Sequence, residues 1–136
     1  MLIAHPGGPF WAKRDAGAWT IPKGLVEDGE SLLGAARREF EEEIGFDPGE
    51  PELDLGSIVL KSKKVVHAYA TEGDFDPEDL VPHIIEIEYP PRTGRKIRIP
   101  EVDRVIWAEP GLAREKLNPA QADLVDRLLA NRSLGP

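Results

Sequence analysis

The 136-residue chain has no cysteine. That excludes disulfide staples, thiolate metal ligands and a cysteine nucleophile together. Long apolar runs are also missing, none approaching the ~20 residues that a membrane-spanning helix needs. The opening MLIAHPGGPF carries no basic stretch ahead of an apolar one, so nothing marks the chain for export and the cytoplasm is the expected location. Positive charge is in deficit, 17 Lys and Arg against 25 Asp and Glu for a net charge of -8. A nucleic-acid duplex is therefore a poor partner, because phosphate backbones are met by basic surfaces. A phosphate ligand carried by metal ions stays open, since bound cations invert the local charge logic. Repeats and low-complexity tracts are absent too. The three histidines, His5, His67 and His83, are scattered without metal-ligand spacing and receive no role.

What is present, 40% hydrophobic and 31% charged residues, fits one globular domain over residues 1–136. Leu2–Ala4 reads as the end of a buried strand, broken by the loop Pro6-Gly7-Gly8-Pro9. Trp19-Thr20-Ile21 is a short extended segment stopped by Pro22. From Ser31 to Ile44 the pattern is helical, with Ser31 as N-cap and Gly45 as the left-handed residue that ends it. Ile58–Leu60 and Val65–Ala70 flank Lys61–Lys64 as a hairpin. Ile84–Tyr89 alternates like a half-buried strand, Pro90–Gly94 turns into Lys96–Ile99, and Val105–Trp107 is a further strand with Trp107 in the core. Asn118 before Pro119 starts a last helix, on which Leu124, Val125, Leu128 and Leu129 form a core-facing stripe. These elements predict an α/β (α+β) domain of layered α/β/α type.

The chemistry concentrates in GLVEDGESLLGAARREFEEEIGF, residues 24–46. At 3.6 residues per turn, Glu39, Glu42 and Glu43 share one helical face, whereas Glu41 projects away. Leu33, Ala36, Phe40 and Ile44 occupy the adjoining face and should pack inward. Arg38 stands one turn before Glu42 and is placed to pair with it. Three bare carboxylates on one face repel each other. Hard oxygen ligands at this spacing suit Mg²⁺, with Mn²⁺ as a substitute, ions that keep waters and bridge to substrate phosphates.

The same stretch resembles the signature of Nudix hydrolases, G-x5-E-x7-R-E-U-x-E-E-x-G-U with U a bulky apolar residue. Gly24, Glu30, Arg38, Glu39, Phe40, Glu42, Glu43, Gly45 and Phe46 fill every fixed position. The resemblance implies an α/β/α sandwich around a mixed sheet. It also implies hydrolysis of a nucleoside di- or polyphosphate linked to a further moiety, a nucleoside triphosphate or dinucleoside polyphosphate among them. By position, Glu42 and Glu43 are implied metal ligands and Glu39 a third ligand or general base. The Gly24 carbonyl is a further candidate ligand. Glu30, Arg38 and Gly45 are implied to hold the loop–helix–loop together. Glu101, ahead of Val105–Trp107, is the candidate acidic residue from outside the motif, with Glu86 and Glu88 as runners-up. The alternative is a nucleotide-binding or regulatory Nudix domain without catalysis.

Trp19-Thr20-Ile21-Pro22-Lys23-Gly24 resembles the W-x-x-P-K-G segment of diadenosine polyphosphate and diphosphoinositol polyphosphate hydrolases and of some nucleoside triphosphate pyrophosphohydrolases. Lys23 is then a candidate phosphate contact, and Phe10 and Trp11 are candidate nucleobase-stacking residues. A small-molecule nucleotide or polyphosphate is the expected partner, without nucleic-acid duplex or membrane. Family members usually carry one more strand before a segment like Leu2–Pro6, so this chain is expected to leave a sheet edge unpaired.

Overall fold

Ile3 and Ala4 point to opposite faces of one strand, and both are wholly buried. In the computed structural model, which describes residues 1–23 and 26–133, that strand is β1, Leu2–Pro6. It runs antiparallel to β6, Val102–Trp107, with Ala4 opposite Val105. On one face Ile3 joins Trp19, Ala113, Leu117 and Val125 in an apolar cluster. On the other, Ala4 joins Ile44, Phe75, Val102 and Val105. Helix α1, Leu32–Ile44, covers the second face. Helices α2, Pro110–Lys116, and α3, Asp123–Ser133, supply residues to the first. The layered arrangement expected from the sequence follows from this alternation.

The sheet itself is more fragmented than expected. Besides β1–β6, the hairpins β2–β3 (Leu53–Val59 and Val65–Ala70) and β4–β5 (Ile84–Glu88 and Lys96–Pro100) each form a separate two-stranded antiparallel ladder. Parallel character is confined, among the described residues, to an isolated bridge between Trp19 and Leu117. Among the described residues, the other edge of β1 meets only Thr20, through a reciprocal pair of backbone bonds with Ala4. Prolines account for much of the interruption. Pro6 and Pro100 terminate their strands, and neither can donate to a ladder.

Helix α1 begins and ends where its sequence says. The Ser31 side chain accepts from the Gly34 amide, and Gly45 closes the helix at φ 81°, its N–H donating to the Glu41 carbonyl. A side chain there is doubly excluded, because a Cβ on Gly45 would sit 2.6 Å from Cβ of Val81. Several sequence expectations need correction. β2 begins at Leu53 rather than near Ile58. Asn118 caps a single 3-10 turn, Pro119–Gln121, and α3 starts only at Asp123. Leu129 lies outside the core at 40% exposed. Trp107 is likewise 46% exposed, because its indole N–H reaches the Phe75 carbonyl at 2.7 Å and tilts the ring onto a rim. That rim borders a cleft of about 530 Å³ between α1 and the β2–β3 hairpin, lined by Leu32, Ala36, Phe40, Leu53 and Tyr69 among others.

Candidate active site

The helix wheel separates the glutamates of α1 by environment. Glu41 is exposed. Glu39 is largely covered, Glu42 about half exposed, and Glu43 is buried. Arg38 organises the first two: its Nη1 lies 2.8 Å from Glu39 and 3.3 Å from both carboxylate oxygens of Glu42. Its Nε and Nη2 grip Glu30 at 2.7 and 3.0 Å, and Glu30 in turn accepts from the Glu27 amide. The guanidinium holds the Glu30 carboxyl below the usual carboxylate range, and the ring of carboxylates raises the Arg38 pKa above its ordinary value. Glu30 and Arg38 thus tie the loop before α1 to the helix.

Glu43 is different. Its Oε2 accepts the backbone N–H of Lys23 at 2.8 Å. On its other side stands Glu101, the residue between β5 and β6 that the sequence singles out from beyond the motif. Burial first, then the neighbouring Glu101 carboxyl and the charge of Glu39, push the Glu43 pKa up to about 9, against the lowering effect of the Lys23 amide. Two carboxylates this close do not both ionise without a compensating cation. Backbone bonds fix Glu101 in place: its N–H donates to the His83 carbonyl at 2.8 Å, and its own carbonyl accepts from Gly7 at 3.1 Å. The His83 ring also meets the Glu101 carboxyl at 3.3 Å.

The structure therefore forms two neighbouring sets, Glu39 and Glu42 on Arg38, and Glu43 with Glu101 and the Lys23 backbone, coupled through the charge of Glu39 on Glu43. It does not bring Phe10 and Trp11 to them: Phe10 packs edge-on against Tyr89 at 5.4 Å, and Trp11 lies under Arg14 at 5.5 Å. Glu86 and Glu88 face Arg98 and Lys96 across the β4–β5 ladder. Gly24 lies outside the described residues.

Comparison with known proteins decides the family. The NUDIX domain profile matches residues 2–128. The chain belongs to the Nudix family.

Curated Nudix relatives match it locally. An RNA pyrophosphohydrolase of Legionella pneumophila is 43% identical over 58 residues, which are 42% of this chain and 33% of that protein. The asymmetrical bis(5'-nucleosyl)-tetraphosphatase of Sus scrofa is 40% identical over 67 residues, 44% of this chain and 46% of that protein. The chain thus spans less than half the length of these relatives. Over the whole fold, the solution structure of the E. coli ORF135 protein superposes with a TM-score of 0.59 at 25% identity, covering 99% of this chain and 83% of that one. The MutT protein of Methanosarcina mazei Go1 gives 0.60 at 21% identity, with 99% and 85% covered, and supports the fold alone.

Nudix hydrolases use a divalent cation, and the donor set here fits one: carboxylate oxygens only, with like charges crowded at the buried Glu43. Among the described residues no three Asp, Glu or His side chains already converge on one point. A cation bound here would draw Glu39 or Glu42 away from Arg38. Sequence reasoning missed His83, whose contact with Glu101 joins β4 to the end of β5 and leaves no local signal. None of the described helices is long and apolar enough to cross a membrane.

Proposed function

We propose that this Nudix domain is a Mg²⁺-dependent pyrophosphohydrolase that cleaves a nucleotide carrying a di- or polyphosphate chain, giving a nucleotide and a phosphorylated product or pyrophosphate. The supporting observation is the buried Glu43 carboxyl held between the Lys23 amide and Glu101. A carboxyl kept dry beside a second carboxyl is a poor structural element and a good cation ligand. The names of the two curated relatives, one acting on RNA and one on dinucleoside tetraphosphates, support a phosphoanhydride substrate.

In this reading Glu43, Glu42 and Glu101 hold the ion, and Glu39 is a fourth ligand or the base that takes a proton from the attacking water. Bound Mg²⁺ supplies charge neutralisation at the phosphate oxygens and lowers the pKa of coordinated water. The Lys23 amide orients Glu43, and the Lys23 ammonium is a point charge available to the phosphate chain. Arg38 neutralises Glu39 and Glu42 until an ion takes one of them, and fixes the helix to its preceding loop. His83 orients the Glu101 carboxylate.

The test is a hydrolysis panel with Mg²⁺ at mildly alkaline pH: nucleoside triphosphates, dinucleoside polyphosphates, 5'-triphosphorylated RNA, ADP-ribose and diphosphoinositol polyphosphate. Glu43→Gln serves as the blank. We expect turnover of one class at least a hundredfold above that blank. A folded, Mg²⁺-binding protein that turns over none of them overturns the catalytic reading in favour of a binding domain.

A further inference from the structure

On the opposite face of the β1–β6 ladder from α1 lies an open pocket of about 460 Å³, within the range of about 300–1,000 Å³ usual for ligand sites. Its floor is Trp19, only 2% exposed, held by an indole N–H bond of 2.6 Å to Asp15 and by the edge of the His5 ring at 5.1 Å. Four cations surround it, Lys13, Arg14, Arg104 and Lys116, with Asp15 as the single carboxylate of the lining. The Arg104 guanidinium and the Lys116 ammonium stand 5.3 and 5.5 Å from the Trp19 ring centre.

The pocket gathers four cations around one carboxylate in a chain of net charge -8. Asp15 is already committed to Lys116, at 2.8 Å through both oxygens, and to Trp19. Arg37, Arg38, Arg114 and Arg127 each hold a carboxylate elsewhere, and Lys96 and Arg98 face Glu88 and Glu86 across their ladder. Among the described residues, the side chains of Lys13, Arg14 and Arg104 make neither a hydrogen bond nor an ion pair, and Arg104 only attracts Asp15 at longer range. The backbone that carries Arg14 and Arg104 is nonetheless fixed. The buried His5 ring ties the loop to β6, with Nδ1 on Asp103 at 2.8 Å and Nε2 on the Arg14 carbonyl at 2.7 Å, and His5 pairs in register with Arg104. Arg104 over Trp19, Arg14 over the nearby Trp11 and Lys13 beside them line one pocket without a carboxylate of their own, a set that matches a multiply charged anion.

We propose that this pocket is a second anion site, in which Lys13, Arg14 and Arg104 hold phosphoryl groups above Trp19. The phosphoryl groups belong either to the non-reacting end of the substrate or to a separate polyphosphate. Anion binding here does not depend on the catalytic reading; only the substrate alternative does.

The experiment titrates inorganic tripolyphosphate into the protein in EDTA and low salt, by calorimetry and tryptophan fluorescence, so that cation-dependent binding at the glutamates is silent. We expect saturable one-to-one binding, retained in Glu43→Gln and weakened at least tenfold in Arg104→Ser and in the double variant Lys13→Ser/Arg14→Ser. The triple variant Lys61→Ser/Lys63→Ser/Lys64→Ser, on the distant hairpin tip, should bind like wild type. The exposed loop double variant decides the matter if Arg104→Ser does not fold. Absence of saturable binding overturns the site, and so does equal weakening by the hairpin-tip changes, which would mark diffuse charge attraction. A KM raised by Arg104→Ser at unchanged kcat, for whichever nucleotide is hydrolysed, assigns the phosphoryl groups to the substrate. An unchanged KM assigns them to a separate anion.

Discussion

Glu43 shows how one buried carboxyl sets a pH dependence. Its pKa is displaced from an ordinary 4.5 to about 9 by burial, by Glu101 and by Glu39, so the folded chain binds that proton more tightly than the unfolded chain. The stability it confers is full below the unfolded value and is lost as pH rises towards the folded one. EDTA-treated protein should therefore melt at progressively lower temperature from about pH 5 to about pH 9. Glu43→Gln should remove most of that slope, because the amide never has to ionise. Mg²⁺ should restore wild-type stability at the alkaline end and release protons on binding, read by calorimetry in buffers of different ionisation enthalpy. A slope that survives the Gln substitution would contradict this account of the site.

Helix α1 was legible because its determinants are local: a serine cap, a glycine stop and a 3.6-residue spacing of acids. The joining of Glu43 to Glu101 was legible only through resemblance, since the two sit on different elements and no spacing rule links them. Helix α2 went unread because Glu109 makes no side-chain cap bond and the helix is only 7 residues long. The exposed Trp107 was misread because an alternating pattern does not reveal a carbonyl placed to catch an indole N–H. Gly45 carries a prediction at this scale. Gly45→Ala adds the cost of a left-handed backbone to a 2.6 Å collision with Val81. We expect a loss of about 2–4 kcal/mol in urea unfolding. Activity should fall as well, because Val81 donates to the Ile44 carbonyl two residues before His83, which positions Glu101. A loss under about 1 kcal/mol would show that the Val81 segment simply moves aside.

At the scale of the whole molecule, the two apolar faces of the β1–β6 ladder were foreseeable from composition and alternation. The basic pocket was not, because its four cations come from a loop, β6 and the end of α2. The long cleft between α1 and β2–β3 leaves Leu32, Val65, Phe46 and Trp107 exposed, an apolar patch of the kind that takes up dyes or partner surfaces. The native protein should thus enhance the fluorescence of 1-anilinonaphthalene-8-sulfonate at neutral pH while keeping a cooperative melt. Native protein that leaves the dye dark would mean that the cleft is closed in solution.

The division of the sheet into three ladders also has a consequence for hydrogen exchange. Amides of β1 and β6, backed by wholly buried Ile3 and Ala4, should open only with the molecule as a whole. The β4–β5 hairpin, half exposed along both strands, should open by itself and lose its protection early. Glu101 sits at the seam between them, its amide tied to His83 and its carbonyl to Gly7. An ion that fastens the Glu101 carboxylate to α1 would staple the independent hairpin to the slow-exchanging centre. Occupancy of the glutamate cluster should then be readable as slowed deuterium uptake in residues 84–100, away from the ligands themselves.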